Sequence, residues 1–236
     1  MTTIGKFITI EGIDGSGKTT LANSLCQWMR SELRVATLSG AEPYGYEMMR
    51  PDELQQRTSH LALACLDRQS ASERQAAFLL FMANRALMNI DGIRAQGQTI
   101  VLDRYIDSTI AYHGDVDPRG DFTRILHNTF FWPTPDITLL LLCDVKLATT
   151  RIKQRNPQQY FDEERTTHLL ANAQMRFITQ AHQNAGRIYT IDASQGFEGV
   201  LETAKKELRR RFNWKVPQYA QMSQSPQKWK KPKPTG

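Results

Sequence analysis

The chain is poor in cysteine, and the three it has, Cys26, Cys65 and Cys143, lie far apart among apolar neighbours. With no CxxC pair and no Cys/His ligand spacing, a disulfide framework and a thiolate metal site are excluded, and the three read as core thiols. No apolar run approaches the roughly 20 residues of a membrane span. Met1 to Lys6 leads straight into an apolar strand and leaves no room for a secretory leader, so a soluble, cytoplasmic protein is expected. The body also lacks an excess of one charge. The formal net charge of +6 arises in Asn213 to Gly236, which holds five lysines (Lys215, Lys228, Lys230, Lys231 and Lys233) and no acid, whereas the rest carries 25 basic against 24 acidic residues. A near-neutral body does not suit a domain built on a basic nucleic-acid groove. The Pro/Gln/Lys-rich segment 213–236 reads as a basic, disordered tail, in which Trp229 among lysines is the one feature suited to RNA, a membrane surface or a partner. Internal repeats are absent.

What is present is a phosphate loop. Gly12-Ile13-Asp14-Gly15-Ser16-Gly17-Lys18-Thr19 fits G-x-x-x-x-G-K-[ST], with a buried strand, Lys6 to Ile10, before it and a helix, Thr20 to Leu33, after it. In that setting the backbone N–H groups of Gly12, Asp14, Gly15, Ser16, Gly17, Lys18, Thr19 and Thr20 face nucleotide phosphates at a helix N-terminus. Lys18 reaches the β- and γ-phosphates and Thr19 is a Mg²⁺ ligand.

With 236 residues the chain lies within the range of one α/β domain. After the loop, strands and helices alternate, which predicts a three-layer P-loop fold, a five-stranded parallel sheet with helices on both faces. The further strands are placed at Arg34 to Leu38, Gln98 to Leu102, Asp136 to Leu142 and Arg187 to Ile191. Helices are placed at Leu54 to Asp67, from the Ser70-Ala71-Ser72-Glu73 capping box to near Gly97, at Lys146 to Arg155, at Asp162 to Gln183, and from about Gly199 to Arg211. Ligands of such sheets bind beyond the carboxyl ends of the strands, where Asp14, Glu42, Asp103 and Asp192 fall.

Asp103-Arg104-Tyr105-Ile106-Asp107-Ser108-Thr109-Ile110-Ala111-Tyr112-His113-Gly114 follows the third strand and resembles the D-R-Y-x-x-S-x-x-A-Y-Q-G pattern of thymidylate kinases. In order with it stand E-G-x-D-G-x-G-K-T at Glu11 to Thr19, Glu42-Pro43, F-x-x-x-R at Phe81 to Arg85, P-D-x-T-L at Pro135 to Leu139 and Ile191-Asp192-Ala193. The resemblance covers roughly residues 4 to 211, so residues 1–212 are expected to form the kinase domain. It implies transfer of the γ-phosphoryl group of ATP to a deoxynucleoside monophosphate, most simply dTMP, with Mg²⁺. It also implies a homodimer through the helices near Phe78 and Thr109.

Phosphoryl transfer between two polyanions needs positive charge around the transferring group and both substrates held in line. The resemblance assigns the acceptor phosphate to Arg104, Arg50 and Glu42, and the base to Phe81 and Arg85, with Ser108, Thr109, Tyr112 and His113 lining its pocket. Asp14 takes the acceptor sugar's 3′-hydroxyl, and Tyr112 lies below the sugar. Two readings of Asp103 stay open, a Mg²⁺ ligand through water or an organiser of Arg104. Arg104 itself is open to an ordinary ion pair with Asp103 or Asp107, and Phe81 to a place in the core beside Phe78 and Met82. No arginine occupies the phosphate loop. The chain is thus similar to those thymidylate kinases that use a basic lid, here about 151–165, with Arg151 and Arg155 as catalytic cations beside Lys153 and Arg165.

Departures from the pattern fall on the acceptor side. Ala41 stands where the family has arginine, Tyr44-Gly45 replaces Gly-Gly, and His113 replaces a glutamine able to both donate and accept at the base edge. Two other readings remain: a deoxynucleoside kinase with Glu42 or Asp103 as base, and a non-catalytic nucleotide-binding module.

Overall fold

A computed structural model describes residues 4–41, 53–68, 70–155 and 163–215. Five strands, β1 (Phe7–Gly12), β2 (Thr37–Ala41), β3 (Thr99–Asp103), β4 (Ile137–Leu142) and β5 (Ile188–Asp192), form one parallel sheet in the order β2-β3-β1-β4-β5. Around it lie α1 (Lys18–Ser31), α2 (Glu53–Arg68), α3 (Ala71–Ala86), α4 (Ile90–Ala95), α5 (Ile106–Tyr112), α6 (Asp121–Thr129), α7 (Val145–Arg155), α8 (Glu163–Gln183) and α9 (Phe197–Phe212). β1 is central and buried along its whole length, as a parallel strand covered on both faces requires. Its neighbours β3 and β4 carry Asp103 and Leu142 to the same edge as Gly12, so the phosphate loop opens between their carboxyl ends.

The expected fold class holds, and the element boundaries differ for local reasons. β2 starts at Thr37 rather than Arg34 because Arg34 takes a left-handed conformation, φ 58°, and the Val35 N–H bonds back to the Met29 carbonyl at 3.0 Å. Residues 34 and 35 therefore close α1 instead of opening a strand. The Ser70 capping box is present with both of its bonds, but the helix it opens stops at Ala86. Asn89 then caps α4, accepting from the Gly92 N–H at 3.1 Å.

α5 and α6 were not read from the sequence. α5 follows directly on the Asp103-Arg104-Tyr105 turn. α6 is started by Asp117, whose carboxylate accepts from the N–H groups of Phe122 and Thr123 at 3.3 and 2.8 Å. By length and composition the stretch Ala71–Ala95 could cross a membrane. Here it is divided between α3 and α4, packs on α2, and carries the buried polar side chains Asn84 and Arg85.

The chain stays packed past the end expected for the domain. Asn213, at φ 52°, closes α9 and turns Trp214 back onto Phe212 and Trp28, with ring centroids at 4.8 and 6.4 Å. Arg209 lies 5.0 Å over the Trp28 ring in the same cluster. The boundary at residue 212 thus cuts through a packed aromatic group. Deleting residues 216–236 is expected to leave turnover and melting unchanged. Deletion from Trp214 onward forfeits roughly 1 to 2 kcal/mol of aromatic packing, a fall in Tm of about 2 to 8 °C. Differential scanning calorimetry of the two truncations checks this, and equal melting would show that Trp214 contributes nothing.

Candidate active site

The loop from β1 to α1 is pressed from outside at two glycines. A Cβ on Gly12 (φ +140°) would lie 2.5 Å from the Leu141 carbonyl oxygen, and one on Gly15 (φ +79°) 2.4 Å from that of Ala148. Positive φ and close backbone approach together require glycine at both. Lys18, at the first position of α1, bends back so that its Nζ donates to the Ile13 carbonyl at 2.8 Å, 3.9 Å from the Asp14 carboxylate. Burial first and Arg104 second push its ammonium down to about 8, against the opposing pull of Asp14, Asp103 and Glu11. A phosphate oxygen here would add an anion and favour the charged form.

Two buried oxygens beside the loop have no partner, Ser16 Oγ and Asp103 Oδ1. The other Asp103 oxygen accepts from the Thr19 hydroxyl. A hydroxyl and a carboxylate with one oxygen left over fit the part of a Mg²⁺ shell that a protein supplies when phosphates and water complete the octahedron. Among the described residues no three His, Cys, Asp or Glu converge on a metal position. Thr20 is exposed one position further along α1.

Arg104 does not form the local ion pair that the sequence left open. Neither Asp103 nor Asp107 holds it: its guanidinium pairs with Asp14, inside the phosphate loop and 90 residues away in sequence. Asp103 is engaged by Thr19, and both Asp107 oxygens accept from Arg187 at 2.7 Å. Arg104 also donates to the Ser108 hydroxyl at 3.1 Å and lies 4.9 Å over the Tyr112 ring. Its backbone is left-handed at φ 75°, unusual for a residue with a Cβ. Against the upward pull of burial, the charges of Arg104 and Lys18 hold the Asp14 carboxyl at about 2. The Tyr112 hydroxyl accepts from the Asp14 N–H at 2.9 Å and donates to its carboxylate at 3.3 Å. Burial, and then the Asp14 charge, push this phenol up. One aspartate therefore ties the loop to the arginine and the tyrosine that follow β3.

α3 and α5 face each other beyond this point. The half-buried Phe81 ring lies 5.4 Å from the His113 imidazole, and Phe78 meets the same imidazole edge-on at 5.6 Å. Phe78 and Met82 belong to the core, whereas Phe81 keeps part of its surface open. Burial first, with a smaller push from Arg85 and against Asp115, lowers His113 to about 4, so the imidazole is neutral at physiological pH. Arg85 is only 1% exposed. It donates to the Thr109 hydroxyl at 3.0 Å and stands 4.7 Å from the Tyr105 ring and 5.9 Å from that of Trp132. Phe81, Arg85, Thr109 and His113 thus come together, and the rings of Tyr105 and Trp132 beside Arg85 are additions that the sequence did not disclose.

Ser108 serves the arginine instead of the base pocket: its hydroxyl bridges Arg104 and the buried carboxylate of Glu11. Glu11 opens the motif of residues 11–19, and a lone acid at the end of the apolar run Phe7-Ile8-Thr9-Ile10 is a readable signal of an internal role. Burial, and then the Asp107 charge, push its carboxyl up, while the bonds from Ser108 and Tyr105 and the charge of Arg104 favour the ionised form. Of the basic lid, Arg151 on α7 donates to the Gly15 carbonyl at 3.2 Å and so reaches the phosphate loop, while Arg155 is exposed one turn on. Glu42, Arg50, residues 156–162 and the Arg165 side chain lie outside the described residues.

Comparison with known proteins follows the same residues. A family model described as thymidylate kinase matches residues 10–204. A probable thymidylate kinase 1 of Saccharolobus solfataricus is 29% identical over 206 residues, covering 87% of this chain and 97% of that protein. The thymidylate kinase of Latilactobacillus sakei is 30% identical over 207 residues, covering 84% and 92%, and that of Marinomonas sp. is 29% identical over 211 residues, covering 86% and 94%.

Proposed function

The chain belongs to the thymidylate kinase family and phosphorylates dTMP to dTDP with ATP as donor, and we propose that its work is divided across Asp14. On one side Lys18 and the N–H groups of residues 12–20 hold the donor phosphates. On the other, Arg104 receives the acceptor phosphate, with Arg85, Phe81 and His113 on the base. The observation that carries this division is the Arg104–Asp14 pair, which places the guanidinium following β3 directly against the phosphate loop. An acceptor phosphate at Arg104 and donor phosphates at Lys18 would then be neighbours, as in-line transfer requires.

Mg²⁺, held by the Thr19 hydroxyl and Asp103, would neutralise charge on the β- and γ-phosphates. Asp14 keeps its charge down to about pH 2 and is placed to accept from a sugar hydroxyl. Tyr112 lies against both Asp14 and Arg104, where a ribose 2′-hydroxyl would meet it. Arg151, already at the Gly15 carbonyl, and Arg155 are the cations that α7 contributes to the transition state.

A panel of nucleosides and monophosphates with ATP, scored for diphosphate, tests the assignment. Strong turnover of unphosphorylated thymidine in place of dTMP would restore the nucleoside-kinase reading, which family membership does not favour. Within the panel, His113→Gln is expected to retain or raise kcat/KM for dTMP. His113→Phe should raise KM about 5- to 100-fold by leaving a base group unpaired. Assay near pH 7, where the wild-type imidazole is neutral, makes the comparison one of hydrogen bonding alone. Unchanged ranking of dTMP, dUMP and dCMP in all three proteins would place His113 outside the pocket.

The same reading makes the enzyme a cytoplasmic homodimer. Phe78 and Thr109 are themselves buried, but α2, α3 and α6 expose the apolar side chains Leu54, Leu61, Leu79, Phe122 and Ile125, of the kind that association covers. Sedimentation at micromolar concentration should give the mass of two chains, and a single-chain mass would exclude the dimer.

A further inference from the structure

Glu11 is the last residue before the phosphate loop and is 0% exposed. Its side chain turns away from the loop and under the turn that follows β3. There Oε1 accepts from the Tyr105 N–H at 2.7 Å and Oε2 from the Ser108 hydroxyl. The Ser108 oxygen in turn accepts from Arg104 at 3.1 Å. Arg104 immediately precedes these two anchor points with φ 75°, and its own N–H is fixed to the Ile10 carbonyl at 3.0 Å. A residue with a Cβ keeps such a conformation only where its surroundings over-determine it. Burying a carboxylate costs free energy unless its acceptors are used, and here they are used by two residues that follow Arg104 within one turn.

We propose that Glu11 is a positioning residue for the acceptor phosphate: through Tyr105 and Ser108 it holds Arg104 in its left-handed turn and aims the guanidinium across the loop. The inference rests on the reading of Arg104 as the acceptor-phosphate clamp. Wholly buried, Glu11 offers neither substrate a surface to touch. Its hydrogen bonds act on the acceptor side only, because the Lys18 contact to Ile13 and the Thr19 contact to Asp103 do not pass through it, and of the three carboxylates that favour the Lys18 ammonium its pull is the smallest.

Glu11→Gln preserves shape and removes one acceptor. Turned one way, its amide N–H₂ meets the Tyr105 N–H; turned the other, it competes with Arg104 for the Ser108 oxygen. Steady-state kinetics of Glu11→Gln, Ser108→Ala, the double variant and Arg104→Ala, with each substrate varied in turn, test the inference. In Glu11→Gln, kcat/KM for dTMP should fall about 10- to 100-fold while KM for ATP stays within about twofold. Ser108→Ala should fall in the same sense, and the double variant no further than the poorer single one, since both act along one path. Near-wild-type acceptor kinetics in Glu11→Gln, an equal loss on the ATP side, or losses that multiply in the double variant would each overturn it. Should Glu11→Gln not fold, unaffected dTMP kinetics in Ser108→Ala does so alone. Arg104→Ala separates the two levels. If it is impaired while Glu11→Gln and Ser108→Ala are normal, only the role of Glu11 falls; if it is itself normal, the phosphate clamp falls and Glu11 with it.

Discussion

Lys18→Ala and Arg104→Ala should each lower kcat by about 10² to 10³, the usual cost of removing one charged contact to a transition state, about 2.7 to 4 kcal/mol. The losses should differ in kind. Lys18 spends its only described hydrogen bond on the Ile13 carbonyl, so its removal acts on the donor phosphates and barely on the fold. Arg104 is held by Asp14, Ser108 and the Tyr112 ring, and its removal acts on the acceptor and also frees the Asp14 carboxylate. Single-turnover kinetics with saturating substrates and circular dichroism of both variants check this. A folded variant within tenfold of the parent would lose its assigned role.

Arg85→Ala is expected to lower kcat/KM for dTMP by about 10- to 100-fold, through loss of a charged donor worth about 1.5 to 3 kcal/mol. Because Arg85 is 1% exposed and lies between Tyr105, Trp132 and Thr109, the variant should also melt lower than the parent. Arg85→Met separates the two effects. Its chain fills much of the space, so melting should recover while dTMP kinetics do not. Recovery of kinetics with Met would mean that Arg85 packs the pocket rather than reads the base.

Beyond the fold class, which the alternation of strands and helices disclosed, what could be read from the sequence was mostly local. The phosphate loop and the Ser70 capping box are contiguous patterns whose geometry lies within a few residues, and both occur where expected. β2 was displaced because Arg34 adopts a conformation that residue type does not announce. α5 escaped because its seven residues face inward on most sides and bury Asp107, Ser108 and Thr109, so no apolar stripe marks it. The partner of Arg104 was not legible for a related reason. Asp103 and Asp107 are near it in sequence, but the parallel sheet brings Asp14 beside it from another strand's end. Tyr105 and Trp132 came to flank Arg85 by the same tertiary route.

The missing Cβ at Gly15 has a mechanical consequence. With the Ala148 carbonyl seated against that glycine and Arg151 bonded to its oxygen, the base of α7 rests on the phosphate loop as a lever rests on a fulcrum. Arg155 stands seven residues out from Ala148, about 10 Å along the helix at 1.5 Å per residue. A tilt of about 6° at the fulcrum therefore carries that guanidinium through about 1 Å, roughly the misplacement that costs catalysis dearly. A methyl group added at position 15 would make itself felt at the far end of the arm as well as in the loop.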